Sequence, residues 1–511
     1  MKNDLIPKRI KIDYELLKKF PPEFLVKNLI FPLKESSNGM EVLMPDVNDF
    51  DKITIIENYV GKKIFPKSAE RSYIEKLLKK SDVVTKVLTD KSESFFLKKE
   101  TEKDVRDSLS FDSLTEEDDS VIKLLNNIIF TAINKKSSDI HIEARTDSIN
   151  IKFRIDGILN QVMEPLDKVF HLPLLTRLKV ISELNIAERR IPQDGRFRLA
   201  INDKTIDFRV SIMPGIEGEN AVIRILDREM ITENIKELKI KELGFSNYLI
   251  DKIKFYINQP YGMFLVTGPT GSGKTTTLYA ALNEIKKSEE KIITIEDPVE
   301  YQINDITQIP VNEKKGLTFA KGLRSILRHD PDKIMVGEIR DPETAQIAIQ
   351  SALTGHLVFT TVHANNVFDV LGRFIHMGID TYSFISALNC IVAQRLVRKL
   401  CPECKKKYKM SKDELKESRI STNDINTFVY KPVGCPECSN IGYKGRTVIG
   451  EVLELTDEIK EMLLVKKPLS EIKKVATEQG MIPIRKNGIE KLKKGITSVD
   501  ELNRVTIKEW V

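Results

Sequence analysis

The sequence predicts an α/β protein of several domains, the largest of them built on a mostly parallel sheet. Three observations carry this. At 511 residues the chain has room for about three or four domains, each able to bury a core of its own. From Met263 onward, continuous apolar runs (Met263 to Thr267, Lys291 to Ile295, Ile334 to Val336, Leu357 to Thr361) are separated by helical stretches, the pattern of parallel strands covered on both faces. Upstream the period is two instead. Ile149, Ile151, Phe153 and Ile155 alternate with Asn150, Lys152 and Arg154, and Ile206, Phe208, Val210 and Ile212 with Asp207, Arg209 and Ser211, so an antiparallel sheet with one wet face comes first.

Taken in order, residues 1–100 mix short apolar runs (Leu25 to Pro32, Gly39 to Met44) with a Lys-rich amphipathic stretch near Ser68 to Lys80, and read as a small mixed α/β module for partner docking. Residues 101–119 read as a linker. Thr101 to Ser120 carries eight acids against two bases and few large apolar residues, too little to order itself by burial. Its charge of −6, in a chain of net +6, leaves +12 on the remainder, a bias that an acidic partner could use. Residues 120–230 read as an α+β domain: a helix over Val121 to Asn134, a hairpin turning at Asp156-Gly157, a helix near Leu172 to Leu184, and a second hairpin from Phe197–Ile201 and Thr205–Ile212. A charged connector, Asp227 to Lys241, leads into residues 240–396, which hold the parallel sheet. There Asp341, Pro342 and Gly355 punctuate one helix as N-cap, first-turn proline and stop. Cys390 is expected in the core, within an apolar helix. Residues 397–447 hold the other four cysteines, and residues 448–511 read as helical, with Ser498-Val-Asp-Glu501 as a capping box.

Composition narrows the function classes. Apolar residues at 41% and charged residues at 31% exclude a fibrous or low-complexity chain. No apolar window of about 18 residues interrupts the sequence and Met1 to Phe20 lacks the apolar core of a secretory signal, so a cytoplasmic protein is expected. The 81 basic residues exceed the 75 acidic ones by only six, which does not mark a nucleic-acid binder.

The chemistry concentrates after residue 260. Gly268, Pro269, Thr270, Gly271, Ser272, Gly273, Lys274 and Thr275 satisfy the phosphate-loop pattern between a predicted strand and a predicted helix, with Thr276 following. In such a loop the glycines let backbone N–H groups turn toward phosphates, Lys274 reaches the β and γ oxygens, and the Thr275 hydroxyl can ligate magnesium. Two later strands end in acids, Ile295-Glu296-Asp297 and Val336-Gly337-Glu338, where open α/β sheets place ligands. Either carboxylate could orient water or support the metal; each could also simply open a polar loop. Lys321, Arg324 and Arg328 form a cationic stripe, which on most helices is only a solvated face. His356 and His363 bracket the strand Leu357 to Thr361. Arg224 lies among apolar neighbours and requires an anionic partner, internal or in another subunit. Cys401-Pro-Glu-Cys404 and Cys435-Pro-Glu-Cys438 stand 30 residues apart. The longer loop adds only about half a kcal/mol of closure entropy, so a shared tetrahedral zinc site is expected.

Together these residues resemble the hexameric ATPases of type II secretion and type IV pilus assembly. The resemblance covers most of the chain. Ser138-Asp-Ile-His-Ile-Glu143, Phe153-Arg-Ile-Asp-Gly157, Ala187 to Gly195 and Ile206 to Ser211 resemble that family's second N-terminal domain, with Phe153 where relatives often carry tyrosine. The phosphate loop, an aspartate box (Thr294 to Glu300), a Walker B region (Leu327 to Asp341) and a histidine box (Thr354 to His363) follow in the family's order. The resemblance implies a RecA-like ATPase core, a PAS-like domain before it and a zinc-binding insertion. It implies a cytoplasmic homo-hexamer at the inner face of the membrane that spends ATP, with magnesium, on moving an inner-membrane platform protein, with a cytoplasmic adaptor as a further partner. It also implies that Arg209, Arg224, Arg324, Arg328 and Arg340 contact nucleotide phosphates, partly across a subunit boundary. Glu338 is expected to position the attacking water, with Glu296 as its competitor. The alternative is a nucleic-acid translocase or DNA-uptake ATPase; for the first reading no nucleic-acid partner is expected.

Overall fold

The computed structural model describes residues 14–17, 19–20, 24–25, 28–36, 38–74, 77–78, 116–201, 204–226, 238–421 and 428–508. Most of the acidic linker, the start of the charged connector and part of the Ser68 to Lys80 stretch lie outside the described residues. The chain divides into two units, Met1–Asp227 and Arg228–Val511.

In the first unit, strands Phe31–Ser36, Gly39–Met44 and Ile64–Ser68 form a three-stranded sheet, and Met40, Val42, Leu43 and Met44 join Ile56 of the helix Phe50–Val60 in its core. A larger sheet follows, in the spatial order Ile158–Gln161, Ser148–Ile155, Asp139–Ala144, Asn220–Leu226, Lys204–Met213, Gln193–Ile201, with every pairing antiparallel. The turn at Asp156 and Gly157 takes φ of 48° and 85°, the doubly left-handed geometry of a tight hairpin that glycine tolerates at no cost. Helices Glu116–Asn134 and His171–Ile181 cover one face through Leu124, Ile128, Leu174 and Leu178, which pack on Ile140, Ile142, Ile151 and Phe208. Phe153 is wholly buried there, so its missing hydroxyl leaves no polar atom to satisfy.

The opposite face carries the polar alternates, and one rung across it is nearly all cationic. Arg196 stands opposite Arg209, Arg209 opposite Arg224, Arg224 opposite Asp139, and Asp139 opposite Arg154. Arg224 is therefore not enclosed by its apolar sequence neighbours: its side chain is 59% exposed and its Nε donates to Asp139 at 3.0 Å. Alternation sends Ile223 and Ile225 to the other face.

In the second unit a seven-stranded sheet runs Thr307–Pro310, Ile292–Glu296, Lys333–Val336, Leu357–Val362, Gly262–Thr267, Leu388–Leu400, Tyr443–Glu454. All pairings are parallel except the last. Both faces are buried. Met263 and Leu265 enter one core, Phe264 and Val266 the other. Asp341 caps the helix Pro342–Leu353 by accepting from the Thr344 N–H at 2.8 Å. Cys390 is fully buried, in a strand rather than a helix: the run Leu388–Leu400 lies between two partner strands with both faces covered, which removes the strand's alternation. The module containing Cys401 to Cys438 is inserted at the end of the antiparallel hairpin, just beyond the Leu400 to Tyr443 rung.

Residues 448–454 belong to the strand Tyr443–Glu454 rather than to the expected helical region, and among the described residues four helices follow it: Asp457–Leu464, Leu469–Glu478, Ile484–Lys493 and Val499–Val505. Ser498 caps the last one by accepting from the Glu501 N–H, but the reciprocal half of the expected capping box is absent. The fully buried Glu501 carboxylate is taken instead by Arg398, through its backbone N–H and guanidinium, and by Arg504. Two guanidinium forks outcompete one amide for a buried charge.

Candidate active site and metal centre

The phosphate loop joins the strand Gly262–Thr267 to the helix Lys274–Ile285. Gly268, Gly271 and Gly273 take φ of 150°, 77° and 85°, so the loop needs glycine at each. Lys274 is buried and its Nζ donates to the carbonyls of Gly268 (3.0 Å) and Pro269 (3.2 Å). Burial holds its ammonium below lysine's usual pKa, against the pull of Glu338. Thr275 and Thr276 follow in the first helical turn, where unpaired N–H groups and the dipole favour an anion.

At the same sheet edge, Glu338 follows the strand Lys333–Val336. It accepts from His363 Nε2 at 3.0 Å and from the Arg340 guanidinium. An ionised carboxylate only accepts, so Nε2 carries the imidazole hydrogen. Burial alone would raise the Glu338 pKa, but the bond and charge of Arg340, with His363, hold it below the usual carboxylate range. Burial and the charge of Lys274 together lower His363, so the ring is neutral at pH 7. Arg340 also faces Asp297 at 3.6 Å.

Glu296 ends the neighbouring strand, Ile292–Glu296, yet lives differently. It is 2% exposed and accepts from the Thr294 hydroxyl (2.6 Å), from Gln308 Nε2 (3.2 Å) and from the Tyr279 hydroxyl. Burial lifts its pKa above the usual range in spite of these donors. Its oxygens are engaged by the fold.

The structure thus gathers Lys274, Glu338, Arg340 and His363 at one edge, with Glu296 behind. Five expected site residues lie elsewhere or are otherwise engaged. Arg324, on the helix Phe319–Ile326, pairs with Glu343 at 2.6 Å, and Arg328 donates to the Arg324 carbonyl at 3.0 Å. His356 precedes the strand Leu357–Val362 and His363 follows it, which separates them by about 20 Å along the strand. The His356 ring bonds the Ser351 carbonyl through Nδ1 at 3.0 Å, so it ties down a helix end at the sheet edge away from the phosphate loop and is no part of this cluster. Arg209 and Arg224 belong to the first unit, directly opposite one another in its sheet. Sequence reasoning missed Gln394 and Tyr279, which hold the loop and Glu296 from inside apolar segments; neither belongs to a recognisable pattern.

The four thiols of Cys401, Cys404, Cys435 and Cys438 lie within 4.8 Å of one another. Three of their separations are 3.8, 3.8 and 3.7 Å. A tetrahedron of ligands about 2.3 Å from a central ion has edges of about 3.8 Å, so these side chains are spaced for one four-coordinate metal. Backbone N–H groups of Gly434, Cys435 and Gly442 donate to Cys404 and Cys438 at 3.2 to 3.3 Å, which suits thiolates. Among the described residues no helix is long and apolar enough to cross a membrane.

A family model described as "Type II/IV secretion system protein" matches residues 115–504, and an MshEN domain matches residues 7–83. The chain is 45% identical over 400 residues to the type II secretion system ATPase E of Vibrio cholerae, covering 77% of each chain. It is 38% identical over 507 residues to the type IV pilus assembly ATPase PilB of Myxococcus xanthus, covering 97% of this chain and 87% of that one. Among solved structures, the Legionella pneumophila ATPase DotB shares the fold, with a TM-score of 0.53 at 20% identity, over 75% of this chain and 94% of that one.

Proposed function

The chain belongs to the type II/IV secretion system protein family, and we propose from this premise how its residues perform the work of a secretion ATPase. It is a RecA-like ATPase, and its relatives power pilus or pseudopilus assembly. The observation that carries the reading is the face-to-face arrangement of a phosphate loop and an ionised, hydrogen-bonded Glu338 at one sheet edge. Lys274 leaves the Gly268 and Pro269 carbonyls for the β and γ phosphates of ATP. The backbone N–H groups from Gly271 to Thr275 would enclose the phosphates, and the Thr275 hydroxyl would hold magnesium, which when bound would supply positive charge to the phosphoryl oxygens. Glu338, kept ionised by Arg340, accepts a hydrogen bond from the attacking water and orients it; neutral His363 fixes the carboxylate's rotamer. Arg340, paired with Glu338, is a second cation beside Lys274 for charge developing at the transition state. Glu296 braces the adjoining strand end.

Arg209 and Arg224 serve the nucleotide of a neighbouring copy in a hexamer. The sheet rung supports this, since Arg209 stands opposite both Arg196 and Arg224, a like-charge arrangement that Asp139 beside Arg224 offsets only on one side and that a phosphate would relieve further. Arg324 and Arg328 join the same boundary. Zinc is the metal of the four-thiol centre, because the geometry is closed, tetrahedral and all sulfur. The protein works in the cytoplasm at the inner membrane face, and its partners are a platform protein in that membrane and an adaptor.

Steady-state ATP turnover in Glu338→Gln and Glu296→Gln tests the assignment. Loss in the first, with a smaller effect in the second, is expected; near-normal turnover in Glu338→Gln overturns it.

A further inference from the structure

Gln394 is 1% exposed, in a strand whose preceding residues, Cys390 to Ala393, are all apolar. Its amide crosses to the phosphate loop, where Nε2 donates to the Ser272 carbonyl at 2.8 Å. On the other side Oε1 accepts from the Thr277 hydroxyl at 2.9 Å. A carbonyl oxygen only accepts, so the Ser272 contact fixes which end of the amide faces the loop and leaves Thr277 as donor to its oxygen. The loop sits tightly on this strand. A Cβ on Gly268 would meet the Gln394 carbonyl oxygen at 2.6 Å, and one on Gly273 would meet Nε2 at 3.4 Å.

A trans peptide is planar, so its C=O and the N–H of the next residue point in opposite directions. Holding the Ser272 oxygen against Gln394 therefore turns the Gly273 N–H away from that strand, toward the hollow in which phosphate-loop amides collect oxyanion charge. We propose that Gln394 is a positioning residue for nucleotide binding: it touches no phosphate, but through Ser272 it aims the Gly273 amide at the β-phosphate, and Thr277 keeps its own amide in the productive orientation. This rests on reading the loop as a nucleotide clamp.

The test is MgADP affinity of the full chain by calorimetric titration, with the melting temperature measured without nucleotide. Gln394→Leu is expected to weaken MgADP by about tenfold, measured well below its nucleotide-free melting transition, where the chain is fully folded. Gln394→Glu still accepts from Thr277 but cannot donate to Ser272, and should lose at least as much. Thr277→Val should lose about threefold alone and nothing more in the Gln394→Leu background. Wild-type affinity in Gln394→Glu overturns the proposal, as does full additivity of Thr277→Val. A wild-type chain that does not bind MgADP overturns the nucleotide reading itself, and the proposal with it.

Discussion

Two strands lie side by side in the second unit, Ile292–Glu296 and Lys333–Val336, and a glutamate stands at or just past the carboxyl end of each. The two acids are alike in sequence and opposite in circumstance. Glu296 is sealed behind a tyrosine, a threonine and a glutamine, and burial raises its proton affinity. Glu338 stands beside an arginine and a histidine, and their hydrogen bonds and charge lower its proton affinity. One carboxylate is built into the wall and the other is left ionised facing the loop, so what the same side chain can do is decided by what donates to it.

Lys274→Ala should have the largest effect, lowering ATP turnover by roughly 10³-fold while circular dichroism shows the fold retained, because it removes the charge that both glutamate assignments presuppose. Glu338→Gln should lower kcat by about 10²-fold or more, and Glu296→Gln by less; the reverse ranking breaks the comparison. Removing the metal from the four-thiol centre should release the hairpin around Tyr443 before the phosphate loop, a sequence that hydrogen exchange resolves. The environment of Glu338 can then be tuned. Arg340→Gln takes away the main cause of its lowered pKa, so the acid limb of the pH–turnover profile should move to higher pH. The smallest effect is on Glu296. Its folded pKa lies above its unfolded one, so the stability it adds is full in acid, below the unfolded pKa, and fades as pH rises through the folded value. Glu296→Gln should flatten that slope in melting temperature against pH.

Much of the architecture was legible in the sequence because its signals are local. The parallel strands announce themselves as apolar runs, and Asp156-Gly157 as a tight turn. Thr307–Pro310 gave no signal: it is a four-residue polar edge strand with no exposed periodicity to read. The run around Cys390 misleads because a strand covered on both sides has the same apolar density as a buried helix. Similarly, the phosphate loop is readable because its chemistry lies in consecutive backbone groups. The difference between Glu296 and Glu338 is not, since Tyr279 and His363 reach them from 17 and 25 residues away. Ser498 and Glu501 have the right spacing for reciprocal capping, but Arg398, more than a hundred residues earlier, claims the carboxylate.

That last contact has a practical meaning for anyone trimming the protein. The guanidinium of Arg398 lies 3.9 Å over the Tyr443 ring, and its counter-charge comes from the final helix. A truncation that stops before Ser498 would leave a positive charge stranded beneath an aromatic lid, at the root of the cysteine-bearing hairpin. Ser498 to Arg504 act as a keystone and should be kept in any shortened version.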